Sequence, residues 1–196
     1  MTTVLTHDVL EPNESPTSYE VGLWQEKITW KIINNVYDIH LGTSQFETDT
    51  NPDVKRKVTW TQGNDNYALK WYQPNTHPIH VGAISKPEFG IVVNGVETLN
   101  IESKNWHVNY KPLSLYQVDK QIISRYRYVN APVNVLIISE LRLEESDAEK
   151  ILNLFEEWSV KVILTHRQAT SDTDIDSYGI IRSELEPVLL DLIDPK

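Results

Sequence analysis

An Asn-Gly dipeptide at positions 94 and 95 constrains this chain more tightly than any other feature of its sequence. It stands between the apolar run Ile91-Val92-Val93 and the strand-like segment Val96-Glu97-Thr98. A type I′ turn needs two consecutive residues that tolerate a positive φ, and asparagine followed by glycine meets that need best. The pattern therefore predicts a tight β-hairpin centred on these two residues.

The alternation of side chains over residues 57–72 predicts a second hairpin. When Lys57–Gln62 is folded onto Tyr67–Tyr72 about a four-residue turn, Trp60 faces Leu69 and the apolar side chains share one surface. Polar side chains then occupy the other surface, which is typical of a half-buried antiparallel pair.

A third hairpin is predicted nearer the N-terminus, where Ile28–Ile33 would fold back on Val36–Leu41 and set Trp30 against Ile39. A helix over Val21–Tyr37 is the competing interpretation, since apolar residues also recur there at intervals of four. The many β-branched residues favour strands, and we expect the hairpin.

The second half of the chain changes from strand-like to helical patterning. Two Ser-x-x-Glu capping boxes, at 146–149 and 183–186, predict amphipathic helices over 147–159 and 184–193. The run from Val133 to Leu164 predicts two parallel strands joined by the first of these helices. The other predicted strands are Leu99–Glu102, Asn105–Tyr110, Leu113–Val118, Gln121–Tyr128, Val133–Leu141, Val160–Leu164 and Tyr178–Arg182.

These elements predict an α+β fold that is predominantly antiparallel, a sandwich or rolled sheet built of hairpins, with two C-terminal amphipathic helices. The sequence predicts that residues 1–17 form an extended arm, which includes Pro12 and Pro16, and that residues 18–196 form one domain.

Composition excludes several functional classes. The chain contains no cysteine, which rules out thiol nucleophiles, zinc ribbons and iron–sulfur clusters. Its net charge of −10 repels phosphate backbones, so we expect no nucleic-acid partner. No apolar run approaches the length that crosses a bilayer, so we expect no membrane partner and a soluble protein, intracellular or in a virion.

The histidines invite a metal hypothesis, with His77 and His80 closest together. Residues three apart on a strand point to opposite faces, so a site would need His107 or His40 from elsewhere, with Glu88 or Glu102. We expect turn and core-edge histidines instead. No cofactor motif is present, and we predict no cofactor.

The aspartates at 172, 174 and 176 match the first ligand positions of a calcium loop. The required Gly and Glu are replaced by Ser177 and Ser183. We therefore expect a solvent-exposed acidic loop.

The aromatic residues fall into two groups. Trp30, Trp60 and Trp71 are predicted to lie in the core. Trp106, His107 and Tyr110 lie on a more polar stretch, where an exposed platform would stack on sugars or anchor a partner.

Without a catalytic motif, the sequence favours a non-enzymatic structural subunit that forms homo-oligomers and contacts other structural proteins through Trp106, His107, Tyr110 and the proline-bearing arm. The segment Gln121–Val160 resembles the strand-then-helix order of tail-terminator or tail-completion subunits of tailed viruses. That resemblance implies a ring-forming virion protein at the head–tail junction without enzymatic activity.

Two alternatives from other classes stay open. The first is a module that binds carbohydrate or another small ligand. The second is a metal-dependent enzyme built from dispersed residues such as His77, His107 and Glu102.

Overall fold

The computed structural model describes residues 18–37, 54–72, 86–106 and 111–192. Within these ranges, six strands form one sheet in the order of the sequence. The elements are α1 (Ser18–Val36), β1 (Val54–Gln62), β2 (Asp65–Tyr72), β3 (Phe89–Val93), β4 (Val96–Lys104), α2 (Leu115–Val118), a π-helical turn (Asp119–Ile123), α3 (Ser124–Tyr128), β5 (Val133–Ile138), α4 (Ala148–Glu157), β6 (Val160–Leu164) and α5 (Ile175–Asp191).

The predicted N-terminal hairpin is wrong, because residues 18–36 form helix α1. Ile28, Ile32 and Ile33 are fully buried on one side of this helix. The buried hydroxyl of Thr29 donates to the carbonyl of Gln25 at 2.9 Å, so this β-branched polar side chain has a hydrogen-bond partner within the helix. Burial of the apolar stripe outweighed the strand preference of the individual residues.

The hairpin at Asn94-Gly95 is confirmed. Asn94 has φ 50° and Gly95 has φ 84°, as a type I′ turn requires. Strand β3 pairs antiparallel with β4 from Val93 opposite Val96 to Phe89 opposite Ile101. A bulge after Ile91 shifts the register once within this pair.

The second predicted hairpin forms with a different register. Val58, not Trp60, pairs with Leu69, because the turn contains two residues and Gln62 pairs with Asp65. Gly63 begins that turn with φ 60°, where a type II′ turn requires glycine. The shift is by two residues, so each side chain keeps its predicted face.

The strands predicted at 113–118 and 121–128 are wrong, since this region is helical. Ser114 and Gln117 form a capping box, in which the Ser114 side chain accepts from the Gln117 N–H and the Gln117 side chain from the Ser114 N–H. The strand predicted over 105–110 is also wrong for its first two residues. Asn105 and Trp106 follow β4 outside any strand, and 107–110 lie outside the described ranges.

The parallel β5–α4–β6 unit is confirmed, with β5 parallel to both β4 and β6. Strand β5 ends at Ile138 rather than Leu141. The predicted capping box at the start of α4 does not form. Asp147 is the N-cap residue, but its carboxylate accepts from the backbone N–H of Leu115 at 2.9 Å and so links α4 to α2.

The last helix begins earlier than predicted, and the strand predicted at Tyr178–Arg182 is wrong. Helix α5 begins at Ile175 and ends at Asp191, so Pro187 lies inside it rather than in its first turn. Ile181, Leu185 and Leu189 recur at intervals of four and are fully buried. The capping residue is Asp174, not Ser183.

Helices cover both faces of the sheet. One core cluster joins α1 and α5 to the sheet, and a second joins α2, α3 and α4 to the other face of β5 and β6. The fold is therefore α+β as predicted, but its sheet is mixed and lies between helical layers instead of forming an antiparallel sandwich. The predicted arm, 1–17, lies outside the described ranges.

The three tryptophans predicted to be core residues pack as expected. Trp30 and Trp71 are 8 and 4 % exposed, with ring centroids 5.4 Å apart, and Trp60 packs partly buried against the same cluster. Trp71 also contacts Phe89, the first residue of β3, at 5.5 Å. These contacts hold α1 against the sheet edge at which β3 begins.

Candidate functional site

Charged side chains converge at the edge of the sheet where β4 and β5 end. These two strands are parallel, with Lys104 opposite Ile138 at their carboxyl ends. Ligands of open α/β sheets bind at the carboxyl ends of parallel strands. Strand β3 runs antiparallel to β4, so it begins at this same edge and brings Glu88 to it.

Strand geometry fixes which side chains share a face. Leu99 and Ile101 belong to the core cluster under α1, so the alternating positions of β4 direct Glu102 and Lys104 to the opposite face. Glu102 is fully buried, and the side chain of Lys104 is 12 % exposed. Their charged atoms, Glu102 Oε1 and Lys104 Nζ, lie 2.6 Å apart.

The hairpin register places a second carboxylate beside Glu102. Phe89 pairs with Ile101, and one further step in this register sets Glu88 opposite Glu102. Like charges directly opposite one another destabilise a sheet, so this pairing has a cost in stability. Such a cost is typical of residues that are retained for function.

Arg125 lies between the two carboxylates. Its NH1 atom is 2.6 Å from Glu102 Oε1 and 3.1 Å from Glu88 Oε1. Arg125 belongs to α3, which follows the π-helical turn Asp119–Ile123. Turns of this kind occur frequently at functional sites. Tyr126, fully buried beside it, donates its hydroxyl to the carbonyl of Val135 at 2.9 Å and holds α3 on the sheet.

A third carboxylate, Glu26 of α1, lies near this group. Its Oε2 accepts from the indole N–H of Trp71 at 3.1 Å. Burial raises the pKa of Glu88, the negative charges of Glu102 and Glu26 raise it further, and Lys104 and Arg125 lower it only in part. The result is a pKa of about 8. Burial and the neighbouring carboxylates therefore oppose the ionisation of Glu88.

Two cations, Lys104 and Arg125, pair with Oε1 of Glu102. Its Oε2 has no hydrogen-bond partner among the described residues. A buried carboxylate normally has its oxygens satisfied by donors or by a cation. Oε2 of Glu102 is therefore a buried acceptor without a hydrogen-bond donor in the described part of the chain.

The donor set favours a hard cation. Zinc prefers histidine and cysteine in a closed set of four ligands, and within the described ranges no three His, Cys, Asp or Glu residues surround one point closely enough to hold an ion. Mg²⁺ needs fewer protein ligands, because it keeps several waters and binds through one or two carboxylates plus substrate phosphate oxygens. Glu88 and Glu102 fit that requirement.

Most of the site residues predicted from the sequence lie outside the described ranges: Pro12, Pro16, His40, His77, His80, His107 and Tyr110. Trp106 is described and half-buried, and it packs against the second core cluster. Its carbonyl oxygen accepts from the hydroxyl of Ser139. Glu88 and Glu102, named only as partners for histidines, are the two that the structure brings together.

Among the aspartates predicted to form an exposed loop, Asp176 is exposed as expected, whereas Asp174 is buried and caps a helix. Asp174 is 8 % exposed, contrary to the expectation of exposure. Its carboxylate accepts from the backbone N–H groups of Ser177 and Thr170 at 3.1 and 3.0 Å and pairs with Arg167. Burial opposes the change, yet these bonds lower the pKa of Asp174. This is the cap of α5.

No protein-family model, curated protein or solved structure matches this chain. In the part of the chain that the structure describes, no helix has both the length and the apolar character needed to cross a membrane. Function is therefore inferred from the acidic cluster itself, defined as Glu26, Glu88, Glu102, Lys104 and Arg125.

Proposed function

We propose that this protein is a Mg²⁺-dependent hydrolase of phosphate diesters. The observation that carries the proposal is the pair of buried carboxylates, Glu88 and Glu102, beside Lys104 at the carboxyl ends of the parallel strands. Carboxylates with a nearby cation suit a site that binds a metal and a phosphate together.

Each residue has a distinct task in this proposal. Glu88 and Glu102 supply oxygen ligands, and Glu26 adds negative charge from α1. A bound Mg²⁺ would polarise the phosphoryl oxygen and lower the pKa of a water ligand. Lys104 lies two residues after Glu102 on the same face, where its ammonium group stabilises the negative charge that develops on the phosphate oxygens.

The charge balance favours a diester over a monoester. Arg125 contacts both Glu88 and Glu102, so Lys104 is the cation of the cluster that would face the substrate. A diester brings one negative charge, whereas a monoester brings up to two near neutral pH. Nucleic acid is the diester class we propose first. The net charge of −10 weakens its general binding, so affinity depends on the metal.

The test is cleavage of labelled single- and double-stranded DNA, RNA and bis(p-nitrophenyl) phosphate by the full chain with Mg²⁺, Mn²⁺ or EDTA. We expect metal-dependent cleavage of at least one diester and little hydrolysis of p-nitrophenyl phosphate. Glu102→Gln and Lys104→Met should each lower the rate by about 10²-fold or more. Glu140→Gln, at a surface pair with Arg142, is the matched control and should retain full activity.

Absence of cleavage of every diester with every metal would refute the proposal. Equal activity of Glu102→Gln and the parent chain would show that any cleavage comes from elsewhere, such as a contaminating nuclease.

The structural-assembly role remains a second proposal that rests on the sequence. The strand predicted over 121–128 contributed to the resemblance to tail subunits of tailed viruses, and that segment is helical. The resemblance therefore gives this second proposal less support. The proposed arm and most of the proposed contact residues lie outside the described ranges.

A further inference from the structure

We propose that a polar pocket at the amino end of β5 binds a neutral saccharide of one or two sugar rings. The pocket lies between the loop that precedes β5 and the turn that joins α4 to β6. The acidic cluster lies at the other end of the parallel strands, where β4 and β5 finish. Saccharide binding is therefore separate from the proposed hydrolysis, and either can fail alone.

The pocket has the size of a small-molecule site. Asn134 is the second residue of β5, and Trp158 and Ser159 connect α4 to β6, so the pairing of β5 with β6 brings the walls together. The volume of about 340 Å³ falls within the range of roughly 300–1,000 Å³ that is typical of ligand pockets. It admits a ligand much larger than a single water molecule.

Two buried asparagines fix the inner wall of the pocket. Asn100 of β4 pairs with Asn134, and its Nδ2 donates to Asn134 Oδ1 at 3.1 Å. Nδ2 of Asn134 donates in turn to the carbonyl of Trp158 at 2.7 Å. Asn100 is fully buried, and its Oδ1 has no hydrogen-bond partner in the described part of the chain. Buried polar groups normally have a partner, so a spare acceptor directly behind Asn134 supports a hydrogen-bonding ligand at this wall.

The outer wall carries polar groups of several kinds. The side chains of Asn130, Glu157 and Ser159 line the pocket and make no hydrogen bond or ion pair within the described ranges. They supply an amide, a carboxylate and a hydroxyl group, which together include donors and acceptors. A sugar hydroxyl both donates and accepts, so it can pair with each of them. Pro132 and Trp158 add apolar surface for the C–H groups of a sugar ring.

The local charge selects against anions. Glu157 is the last residue of α4, and the carbonyl groups at the C-terminus of a helix carry partial negative charge. Arg127 lies 5.7 Å from the centre of the Trp158 ring, but it already pairs with Asp119 at 2.6 Å. A phosphate or carboxylate ligand would therefore be repelled. A cationic ligand would meet one carboxylate among neutral groups, whereas a neutral sugar uses all of them.

The backbone at Ser159 adds a separate argument. Ser159 follows the C-cap residue Trp158 and has φ 47°, in the left-handed region where glycine is usual after a helix. A side chain at such a position lowers stability, yet the Ser159 side chain lines the pocket. Strained backbone of this kind clusters at binding sites.

The test is ¹H–¹⁵N NMR of the full chain titrated with glucose, mannose, N-acetylglucosamine, maltose, cellobiose and lactose. At least one sugar should shift the signals of the Asn134 side-chain amide and the Ser159 backbone amide in a saturable manner. Inorganic phosphate and spermidine should leave both signals unchanged.

Two variants locate the binding site. Glu157→Gln should weaken sugar binding by about 10-fold or more, and Ser159→Gly by about 3-fold, since each removes a hydrogen-bonding group from the wall. Neither change threatens the fold, because Glu157 is exposed and glycine fits the backbone at Ser159. Glu156→Gln is the matched control. It removes the neighbouring carboxylate, which does not line the pocket, and should bind like the parent.

Absence of a saturable shift with every sugar overturns the inference, as does binding of phosphate or spermidine at these signals. Equal affinity of the parent, Glu157→Gln and Ser159→Gly also overturns it, because the sugar would then bind elsewhere on the chain. Diester cleavage is measured separately, so failure of the proposed function is distinguishable from failure of this inference.

Discussion

Replacement of Glu88 by glutamine should stabilise the metal-free protein. Glutamine keeps the length of the side chain and an oxygen that accepts from Arg125, but it has no carboxyl group whose ionisation burial and the neighbouring carboxylates oppose. Most substitutions destabilise a folded protein, so a gain in stability is a distinctive outcome.

The magnitude follows from the raised pKa of Glu88, about 8 against 4.5 in the unfolded chain. The carboxyl group is protonated in both states below pH 4.5, so it has no effect on stability there. Between pH 4.5 and 8 the unfolded state ionises first, and the free energy of unfolding falls by about 1.4 kcal/mol per pH unit. The penalty at pH 7 is about 3 kcal/mol by this reasoning. Because the groups of the cluster titrate together, we expect Glu88→Gln to recover about 1–3 kcal/mol.

Urea denaturation of the full chain in EDTA, between pH 4.5 and 8.5, measures this effect. The difference between Glu88→Gln and the parent should be near zero at pH 4.5, grow as the pH rises and level off above pH 8. Mg²⁺ should narrow it by stabilising the parent. The control is Glu156→Gln at an exposed position of α4, which should change stability by less than about 0.5 kcal/mol. A Glu88→Gln variant less stable than its parent at pH 7 would refute the reasoning.

Three further predictions concern the fold and the assembly. Asp174→Ala should lower the free energy of unfolding by about 1 kcal/mol at pH 7, because α5 loses its cap. The pKa of Asp174 is lowered in the folded state, so this loss of stability should shrink as the pH falls through the folded pKa. A loss that stays constant down to pH 2 in chemical denaturation would contradict this reasoning. Phe89→Ala should cost about 3–5 kcal/mol in the same assay, because the ring is fully buried against Trp71, and a cost below 1 kcal/mol would mean that this packing is absent. If the arm mediates assembly, size exclusion with light scattering should show a large homo-oligomer for the full chain and a monomer for a chain starting at Ser18. Identical masses would show that the arm does not mediate assembly.

The sequence predicted the local turn and the parallel unit because those signals lie within a few residues. Asn94-Gly95 specifies its own backbone, and the apolar run at Val133 with the amphipathic helix after it can pack in one way only. The register of the second hairpin was wrong by two residues. Side-chain alternation is unchanged by such a shift, so the pattern could not detect it.

The secondary-structure predictions that were wrong share one cause. Residues 28–33, 121–128 and 178–182 are rich in β-branched or aromatic side chains, but each buries an apolar stripe at helical spacing against the sheet. Tertiary burial overrode local propensity at all three. The capping residues Ser114 and Asp174 were the local signals that could have corrected two of them.

The acidic cluster was only partly accessible from the sequence. Glu102 and Lys104, two residues apart on a strand, must share a face, and the Asn-Gly turn brings Glu88 towards Glu102. The bulge after Ile91 makes Glu88 and Glu102 direct neighbours, and no sequence pattern predicts this bulge. The contact of Arg125 with this cluster could not be predicted, because its segment was interpreted as a strand.

The most direct test of the account is a crystal structure of the full chain with Mn²⁺, with the ion located by its anomalous scattering. The account predicts a peak about 2 Å from a carboxylate oxygen of Glu102 and close to Glu88. Mn²⁺ found only at surface groups such as Glu156 would contradict it.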